Sequence, residues 1–491
     1  MQGIAGTFGM RDKPLVRRML ARLKHRGPDV QEILSVGSAT LGAGRPERRL
    51  SERVFAIADD DSIAVASDSY MFNREFLRRT IVPSMDEGVS ESQLMLGMYK
   101  AIGSRMFRYI DGAYVVAIVE GGRTVLARDP YGLKPLYISG DANSGIYSSE
   151  MKSQILASDK FVPFPPGNTF VSGQGFTKFQ RKAIPWAEDR QPGNKVDHLR
   201  DLVLGSTLAC VADSNTLNVL LSGGIDSSVV AAAAAETVPE IHTVCVGTEE
   251  SEDLKMARIV AEHLGADHRE KTFDTEDMVD VLERVVYFAE SFDFPLIRSC
   301  IPNFLAASMF LNKHIPTLCG EGGDEIFAGY DHLTKIRSGP RLHEERRNLL
   351  RTGHKTGFQR VDRMTSSASL DGRMPLMSHS IVDFGLGLGR RELIGKTPER
   401  SKLILRSAFR DILPESIVWR RKRKFSDGAG SIRSLVLVAE QTITDREFEK
   451  ETRDLPKGRV RTKEELLYFR IFKGHYGSAS AIAAVGSTAN P

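Results

Sequence analysis

The chain has 491 residues, 41% hydrophobic and 26% charged, with 67 Lys and Arg against 63 Asp and Glu. That length predicts two or three domains, each able to bury its own core. The near-balance of charge excludes the strong basic bias of a nucleic-acid or membrane-surface binder. No run approaches the length of an apolar span and the amino terminus lacks the apolar core of a signal peptide, so a cytoplasmic protein is expected. The four cysteines, Cys210, Cys245, Cys300 and Cys319, match neither zinc-ligand nor disulfide spacing, and nothing before Cys210 can supply a thiol.

Up to residue 185 the chain reads as short strands punctuated by Gly, Asp and Pro, among them 62–66 and 113–119. One amphipathic helix interrupts them early, with Leu15, Met19 and Leu23 on one face. The pattern predicts a layered, β-rich α+β domain over 1–185. Residues 182–195 turn polar and Pro-containing and mark a linker. Over 195–476 the order changes to strand, glycine turn, helix. Leu217–Leu221 is an apolar strand, 229–236 an alanine-rich helix, 241–246 a second strand, 253–264 a helix and 315–319 a third strand. Such alternation implies a parallel sheet covered on both faces. Helices dominate beyond Gly339, and the Gly/Ser/Ala-rich stretch 477–491 reads as a flexible tail.

Three clusters carry chemistry. The first is Ser222-Gly223-Gly224-Ile225-Asp226-Ser227-Ser228, between a strand and a helix. Paired glycines bring backbone N–H groups close to an anion, the serines add hydroxyl donors, and the helix dipole favours negative charge. A Walker loop is excluded because the Lys-Ser/Thr pair is missing. The second is Gly320-Glu321-Gly322-Gly323-Asp324-Glu325, after the third strand, where open parallel sheets bind ligands. A carboxylate here and Asp226 can share Mg²⁺ that bridges ATP phosphates. The third is the cationic run Arg420-Arg421-Lys422-Arg423-Lys424, in which one lysine over pyrophosphate would neutralise developing charge.

The first loop resembles that of ATP pyrophosphatases, and the three clusters in this order resemble the glutamine-dependent asparagine synthetase family. Matches run along nearly the whole chain: Arg26-Gly27-Pro28-Asp29, Asp111-Gly112-Ala113, Arg128-Asp129-Pro130-Tyr131-Gly132, Ser149-Glu150-Met151-Lys152, Val361-Asp362-Arg363, Arg373-Met374-Pro375-Leu376 and Phe425-Ser426-Asp427-Gly428. The resemblance implies an α/β and α+β fold: an Ntn-hydrolase-like αββα glutaminase-type domain, then an ATP-pyrophosphatase (adenine nucleotide alpha hydrolase-like) parallel-sheet domain. It implies an AMP-forming amide ligase with ATP and Mg²⁺, acting on a small-molecule or peptide carboxylate and an amine donor, without nucleic acid or membrane, and it leaves room for a homodimer. Carried over residue by residue, Leu221, Ser222, Gly223, Gly224, Asp226, Ser227, Ser228, Val246 and Gly320 would bind ATP and its pyrophosphate. Asp226 and Asp324 would hold Mg²⁺, Lys422 would stabilise charge, and Glu321 would orient or deprotonate the amine. Arg298 matches an arginine associated with carboxylate recognition, with a structural ion pair as its alternative.

The first domain departs from the family. Its glutaminase uses an amino-terminal cysteine with a free α-amine as base; here that position is Gln2, and a carboxamide is no nucleophile. Asp68-Ser69-Tyr70 stands where the family has Asn-Gly-Glu, and Glu91 where it has the pocket aspartate. The expectation is a glutaminase-like domain without glutaminase activity, the nitrogen coming from free ammonia, from another protein or from an amine on a substrate. An intramolecular cyclase of the β-lactam synthetase or lasso-peptide type is the alternative, opposed by Glu321, where β-lactam-type members carry Tyr. Pro295-Leu296 replaces a Thr-Thr pair and Ser378 an aspartate, so the substrate need not be aspartate. A catalytically dead nucleotide-binding scaffold is a third reading, opposed by the intact Asp226, Asp324, Glu321 and Lys422.

Overall fold

The computed structural model describes residues 2–46, 54–182, 194–211, 214–311, 313–395, 401–421, 432–456 and 458–488. They divide into two compact units, Met1–Gln191 with Ser478–Ala484 and Pro192–Gly477 with Val485–Pro491. Residues 183–193 of the expected linker lie outside the described residues.

The first unit stacks two six-stranded antiparallel sheets. In spatial order one runs Val162–Pro163, Tyr137–Gly140, Gly145–Ser148, Gly3–Phe8, Ala39–Arg45, Val30–Val36. The other runs Gly175–Lys178, Asn168–Val171, Arg123–Arg128, Gly112–Glu120, Ile63–Met71, Ala56–Ile57. Alternate residues of both, including Ile4, Phe8, Leu41, Val115, Ala117 and Leu126, meet in one core between the sheets. The opposite faces take helices. Leu15, Val16, Met19 and Leu20 of Lys13–Arg22 pack on Ala5 and Ile146, while Leu94, Met95 and Met98 of Glu91–Ile102 pack on Val65, Val116 and Ile118. The result is the αββα layering that the resemblance implied. Asp12 caps the first helix by accepting the Leu15 N–H at 2.8 Å, with Pro in its first turn.

The second unit is built on a five-stranded parallel sheet ordered Asp267–Thr272, Glu240–Gly247, Thr216–Leu220, Pro316–Leu318, Asp371–Arg373. Successive residues Leu217, Asn218 and Val219 are all buried, so both faces are covered. Thr216–Leu220 pairs with Glu240–Gly247 on one side and Pro316–Leu318 on the other. The chain therefore reverses its direction of winding between Thr216–Leu220 and Pro316–Leu318. That switch point is where open α/β sheets leave a crevice beyond the carboxyl ends of their strands.

The stretch from 477, expected to be a flexible tail, is held along the part described. Ala479–Ala484 is helical with Ala481 buried, Arg459 donates to the Val485 carbonyl at 3.0 Å, and the Thr488 N–H donates to Asp293 at 2.9 Å. Small-residue composition hid the hydrogen bonds from distant residues that hold it. Among the described residues no helix is long and apolar enough to cross a membrane.

Candidate active site

Two loops leave the sheet at the switch point and face each other. In the first, Gly223 adopts φ +65°, and a Cβ there would lie 2.5 Å from that of Met256, so only glycine allows the turn. Ser222 and Ser227 hydroxyls lie 3.1 Å apart, and Ser227 donates to the Gly224 carbonyl at 3.1 Å. The helix Ile225–Thr237 starts at Gly224 with no side-chain cap, leaving its first N–H groups open at the positive end of the dipole. In the second loop, a Cβ on Gly320 would come within 2.5 Å of the Ser227 N, so the loops touch backbone to backbone.

Between them lies a cavity of about 140 Å³ lined by Leu221, Ser222, Gly224, Asp226, Ser227, Val246, Gly320, Glu321 and Asp324. Two residues of the expected nucleotide-binding set do not line it. Gly223 shapes the turn, and Ser228 is fully buried one turn into the helix. Leu220, Val244 and Cys245 make one wall apolar. Burial raises the Cys245 and Cys319 thiols well above the ordinary cysteine range, so neither is a nucleophile here.

One cation of the site was not foreseen. The Lys402 ammonium pairs with Asp226 and lies 2.6 Å from Asp324. Lys402 is fully buried and left-handed, φ +58°, a conformation that non-glycine residues adopt rarely and that marks a constrained position. Both carboxylates thus converge on one point occupied by a cation. Two hard oxygen donors sharing a cation position fit Mg²⁺, which takes one or two carboxylates and completes its shell with phosphate and water. Among the described residues no group of three His, Cys, Asp or Glu could hold a metal.

Glu321 lies at the other end, where Arg360 of the helix Gly357–Ser367 donates to it at 2.6 Å. Glu325 lines the cavity without a cationic partner among the bonds described for it, accepting only from Tyr330 Oη at 2.6 Å. Burial, then the charges of Glu321 and Asp324, push its carboxyl up to about 7. Arg420 donates to Asp253 at 2.6 Å and, with Arg421, brings the chain to the cavity rim. Lys422 itself lies outside the described residues.

Arg298, expected as a carboxylate clamp, does not line the cavity in this structure. Its guanidinium forks onto Glu464, Nε to Oε1 at 2.8 Å and the second nitrogen to Oε2. Glu464 also accepts from Tyr468 at 2.7 Å, and Arg298 lies over the Phe294 ring at 4.8 Å, away from the cavity lining. The alternative, a structural ion pair, describes it. Ser378 accepts the Ile381 N–H and caps the helix His379–Leu386; Asp and Ser cap about equally well, so that substitution carries no information about substrate. Val361-Asp362-Arg363 is structural in part, since Arg363 pairs with buried Glu290 at 2.7 Å.

The corresponding position in the first unit is filled with charge. The Gln2 peptide N–H donates to Asp68 at 3.0 Å. Behind it Arg26 lies 3.4 Å from Asp68 and 2.5 Å from Glu150, Lys152 lies 2.6 Å from Glu150, and Lys134 lies 3.4 Å from Asp68, all buried. Glu91 is the first residue of the helix Glu91–Ile102, after its Ser90 cap. Asp129 accepts the N–H groups of Tyr131, Leu133 and Lys134, while Arg128 donates to three carbonyls. The longest motif of this half is therefore a stapled turn.

Residues 198–355 and 334–481 match the sequence model described as Asparagine synthase, and 1–165 that of a Glutamine amidotransferase domain. The chain is 31% identical to a glutamine-hydrolysing asparagine synthetase of Asparagus officinalis over 98% of its length and 87% of that protein. It is 30% identical to glutamine-hydrolysing asparagine synthetase 1 of Arabidopsis thaliana, over 98% of this chain and 88% of that one. The chain belongs to the asparagine synthase family. It is an AMP-forming carbon–nitrogen ligase dependent on ATP.

Within this asparagine synthase fold, sequence motifs located the two loops that flank the cavity but missed Lys402, Arg360 and Glu325. Glu325 stood inside a quoted motif and lacked only a reason to differ from its neighbours. Arg360 immediately precedes Val361-Asp362-Arg363. Lys402 has the weakest signal, since it stands outside every quoted motif and both of its partners, Asp226 and Asp324, are far from it in sequence.

Proposed function

We propose that this ligase adenylates a substrate carboxylate and passes the acyl group to ammonia or an amine without hydrolysing glutamine itself. The observation that carries the reading is at the head of the strand Gly3–Phe8. Gln2, whose carboxamide cannot act as nucleophile, stands where the family has its cysteine, and its backbone N–H is tied to the Asp68 carboxylate. Acyl transfer needs donors where the oxyanion develops; Asp68 puts a buried negative charge beside that position instead. The ion network of Arg26, Lys134, Lys152 and Glu150 occupies the space behind it.

The second unit supplies the parts for adenylation. The apolar wall of Leu221, Val244 and Val246 suits a purine ring, and Ser222, Ser227 and the uncapped helix start suit the pyrophosphate. Asp226 and Asp324 would hold Mg²⁺, which when bound neutralises phosphate charge and orients the leaving group. Lys402 keeps these two carboxylates together before nucleotide arrives and lies within the same cavity to pair with phosphate afterwards. The substrate carboxylate oxygen attacks the α-phosphorus as the bond to the bridging oxygen breaks, releasing pyrophosphate. An amine then attacks the acyl carbon, AMP leaves, and the nitrogen gives up one proton. Glu321, held by Arg360, is placed to orient that amine. By the resemblance, Lys422 neutralises charge in both steps.

ATP–pyrophosphate exchange over a panel of carboxylic acids tests the reading, together with AMP release when ammonium or amines are added. Exchange with at least one acid and AMP release dependent on amine are expected. No exchange with any acid and no AMP with ammonium would sink it.

A further inference from the structure

The helix Phe294–Ser308 begins at a residue built to cap it that does not. Asp293 has extended backbone angles, φ −62° and ψ 112°, and its carbonyl accepts the Ile297 N–H at 3.0 Å, so it stands in the N-cap position. Aspartate is among the best capping residues, yet this carboxylate accepts nothing from its own helix. Pro295 has no N–H, which leaves the Leu296 N–H as the donor such a cap would take. Both carboxylate oxygens face other partners. Oδ1 accepts from Arg461 at 2.6 Å and from the Thr488 N–H at 2.9 Å, and Oδ2 accepts from the Thr488 hydroxyl. Asp293 is buried, so these are charge-assisted bonds made out of water.

The segment that takes Asp293 also touches what carries the cavity. Residues 485–488 lie in the second unit, with the helix they hold. Arg459 donates to the Val485 carbonyl at 3.0 Å and Arg461 to the Thr488 carbonyl at 3.0 Å, so the segment is pinned at both ends. In its middle, a Cβ on Gly486 would lie 2.6 Å from the Lys355 carbonyl oxygen. Backbone therefore packs on the turn Gly353–Lys355, which leads into the helix Gly357–Ser367. The two helices touched at their starts supply Asn303, Ala306, Arg360 and Val361 to the cavity lining. Among the described residues, none of the segment's hydrogen bonds reaches the loops around Ser222 and Asp324.

We propose that 485–488 is a strap that sets the position of those two helices, with Thr488 a positioning residue acting through Asp293. Strapped, Asp293 serves Thr488 and its helix starts uncapped. Released, rotation of the Asp293 side chain alone lets it cap Leu296, because the backbone already has the capping angles. One carboxylate has two uses, and the helix exchanges an external tie for an internal one. That gives two discrete arrangements at the start of an element that lines the cavity. The strap governs the end of the cavity lined by Asn303 and Arg360, not the loops expected to hold nucleotide.

The test uses the full chain with T488S, which keeps both donors, T488P, which removes both, and G486A, which forces the strap off Lys355. An unchanged circular-dichroism spectrum confirms that each variant is folded. Hydrogen exchange is read residue by residue after electron-transfer fragmentation, and ATP–pyrophosphate exchange with the acid that best supports it. In T488P and G486A the Leu296 amide should gain about fivefold in protection, the worth of a helix cap, while 353–361 should lose about fivefold or more. The same variants should raise KM for the acid about 5–10-fold, the low end of coupling between sites, with KM for ATP and kcat within about twofold. T488S should match wild type. A Leu296 amide that loses protection together with its neighbours marks simple loosening and would overturn the exchange of caps. Equal rises in both KM values, or no rise, would overturn the positioning role and leave the ligase reading standing. The kinetic arm rests on the adenylation reading and the hydrogen-exchange arm does not. Wild type that exchanges with no acid would therefore overturn that reading, and the Leu296 amide alone then decides the strap.

Discussion

Replacing Lys402 with methionine keeps the length of the side chain and removes its charge from between Asp226 and Asp324. At an effective dielectric of about 20, each contact near 3 Å is worth roughly 5 kcal/mol of gross attraction, most of it offset by the desolvation of three ions. Removing one partner of a buried pair typically costs about 3–5 kcal/mol, because the other charges stay buried and unpaired. Arg406 also faces both carboxylates electrostatically, although burial depresses its own pKa, which puts the expected loss at the lower end, about 3 kcal/mol. That is about a hundredfold change in a local opening equilibrium. The chain has two units and need not unfold in one step, so a global midpoint is the wrong observable. Hydrogen exchange over 225–237 and 316–326 reports the local equilibrium directly. In EDTA, K402M should lose about a hundredfold in protection there. Millimolar Mg²⁺ should restore much of it by placing a cation on the same carboxylates. D226N should rescue K402M, giving losses that do not add. Protection equal to wild type in EDTA, or additive losses in the double variant, would refute the geometry of the Lys402 bridge.

Three further outcomes follow from burial and capping. All four cysteines are buried and burial pushes the Cys300 thiol up to about 12, so a disulfide-exchange reagent at pH 8 should leave the native protein unlabelled and label it fully in urea; fast labelling of one thiol would contradict the packing. Burial lowers the His25 pKa from its ordinary 6.5, although Glu150 pulls the other way. The unfolded chain then takes up a proton that the folded one refuses, so stability of the first unit should fall as pH drops through about 6.5, and H25N should flatten that slope; an unchanged slope would show that other groups set it. S378D should leave hydrogen-exchange protection over 379–386 and KM as they are, while S378A should lose about fivefold in protection there as a lost helix cap worth about 1 kcal/mol; a changed substrate preference in S378D would contradict its assignment as a cap.

The parallel strands and the two glycine loops were legible because they are local. Leu217–Leu221 is an apolar run and Ser222–Ser228 a contiguous motif, and each declares itself without the rest of the chain. Two strands were not. Asp267–Thr272 is wholly polar because it lies at a sheet edge, and Asp371–Arg373 is too short to show a period. Ion pairs between distant residues are the other blind spot. Lys402 meets Asp226 across 176 residues and Arg298 meets Glu464 across 166, and no spacing rule connects either pair. Hence motif-by-motif reading found the two loops that flank the cavity, whose parts are contiguous, and missed the ion pairs, whose partners are not. Arg298 looked like a clamp because its partner could not be seen.

Everything on the nitrogen side turns on whether the first unit still hydrolyses glutamine. Glutamate released from amide-¹⁵N-labelled glutamine, measured by mass spectrometry in the presence of ATP, Mg²⁺ and the acid that best supports exchange, decides it. With Gln2 tied to Asp68, no glutamate above the enzyme-free control and no ¹⁵N in the product amide are expected, while unlabelled ammonium or an amine drives AMP release. Glutamate formed in step with AMP, or ¹⁵N in the product, would contradict the claim that this ligase draws its nitrogen from elsewhere.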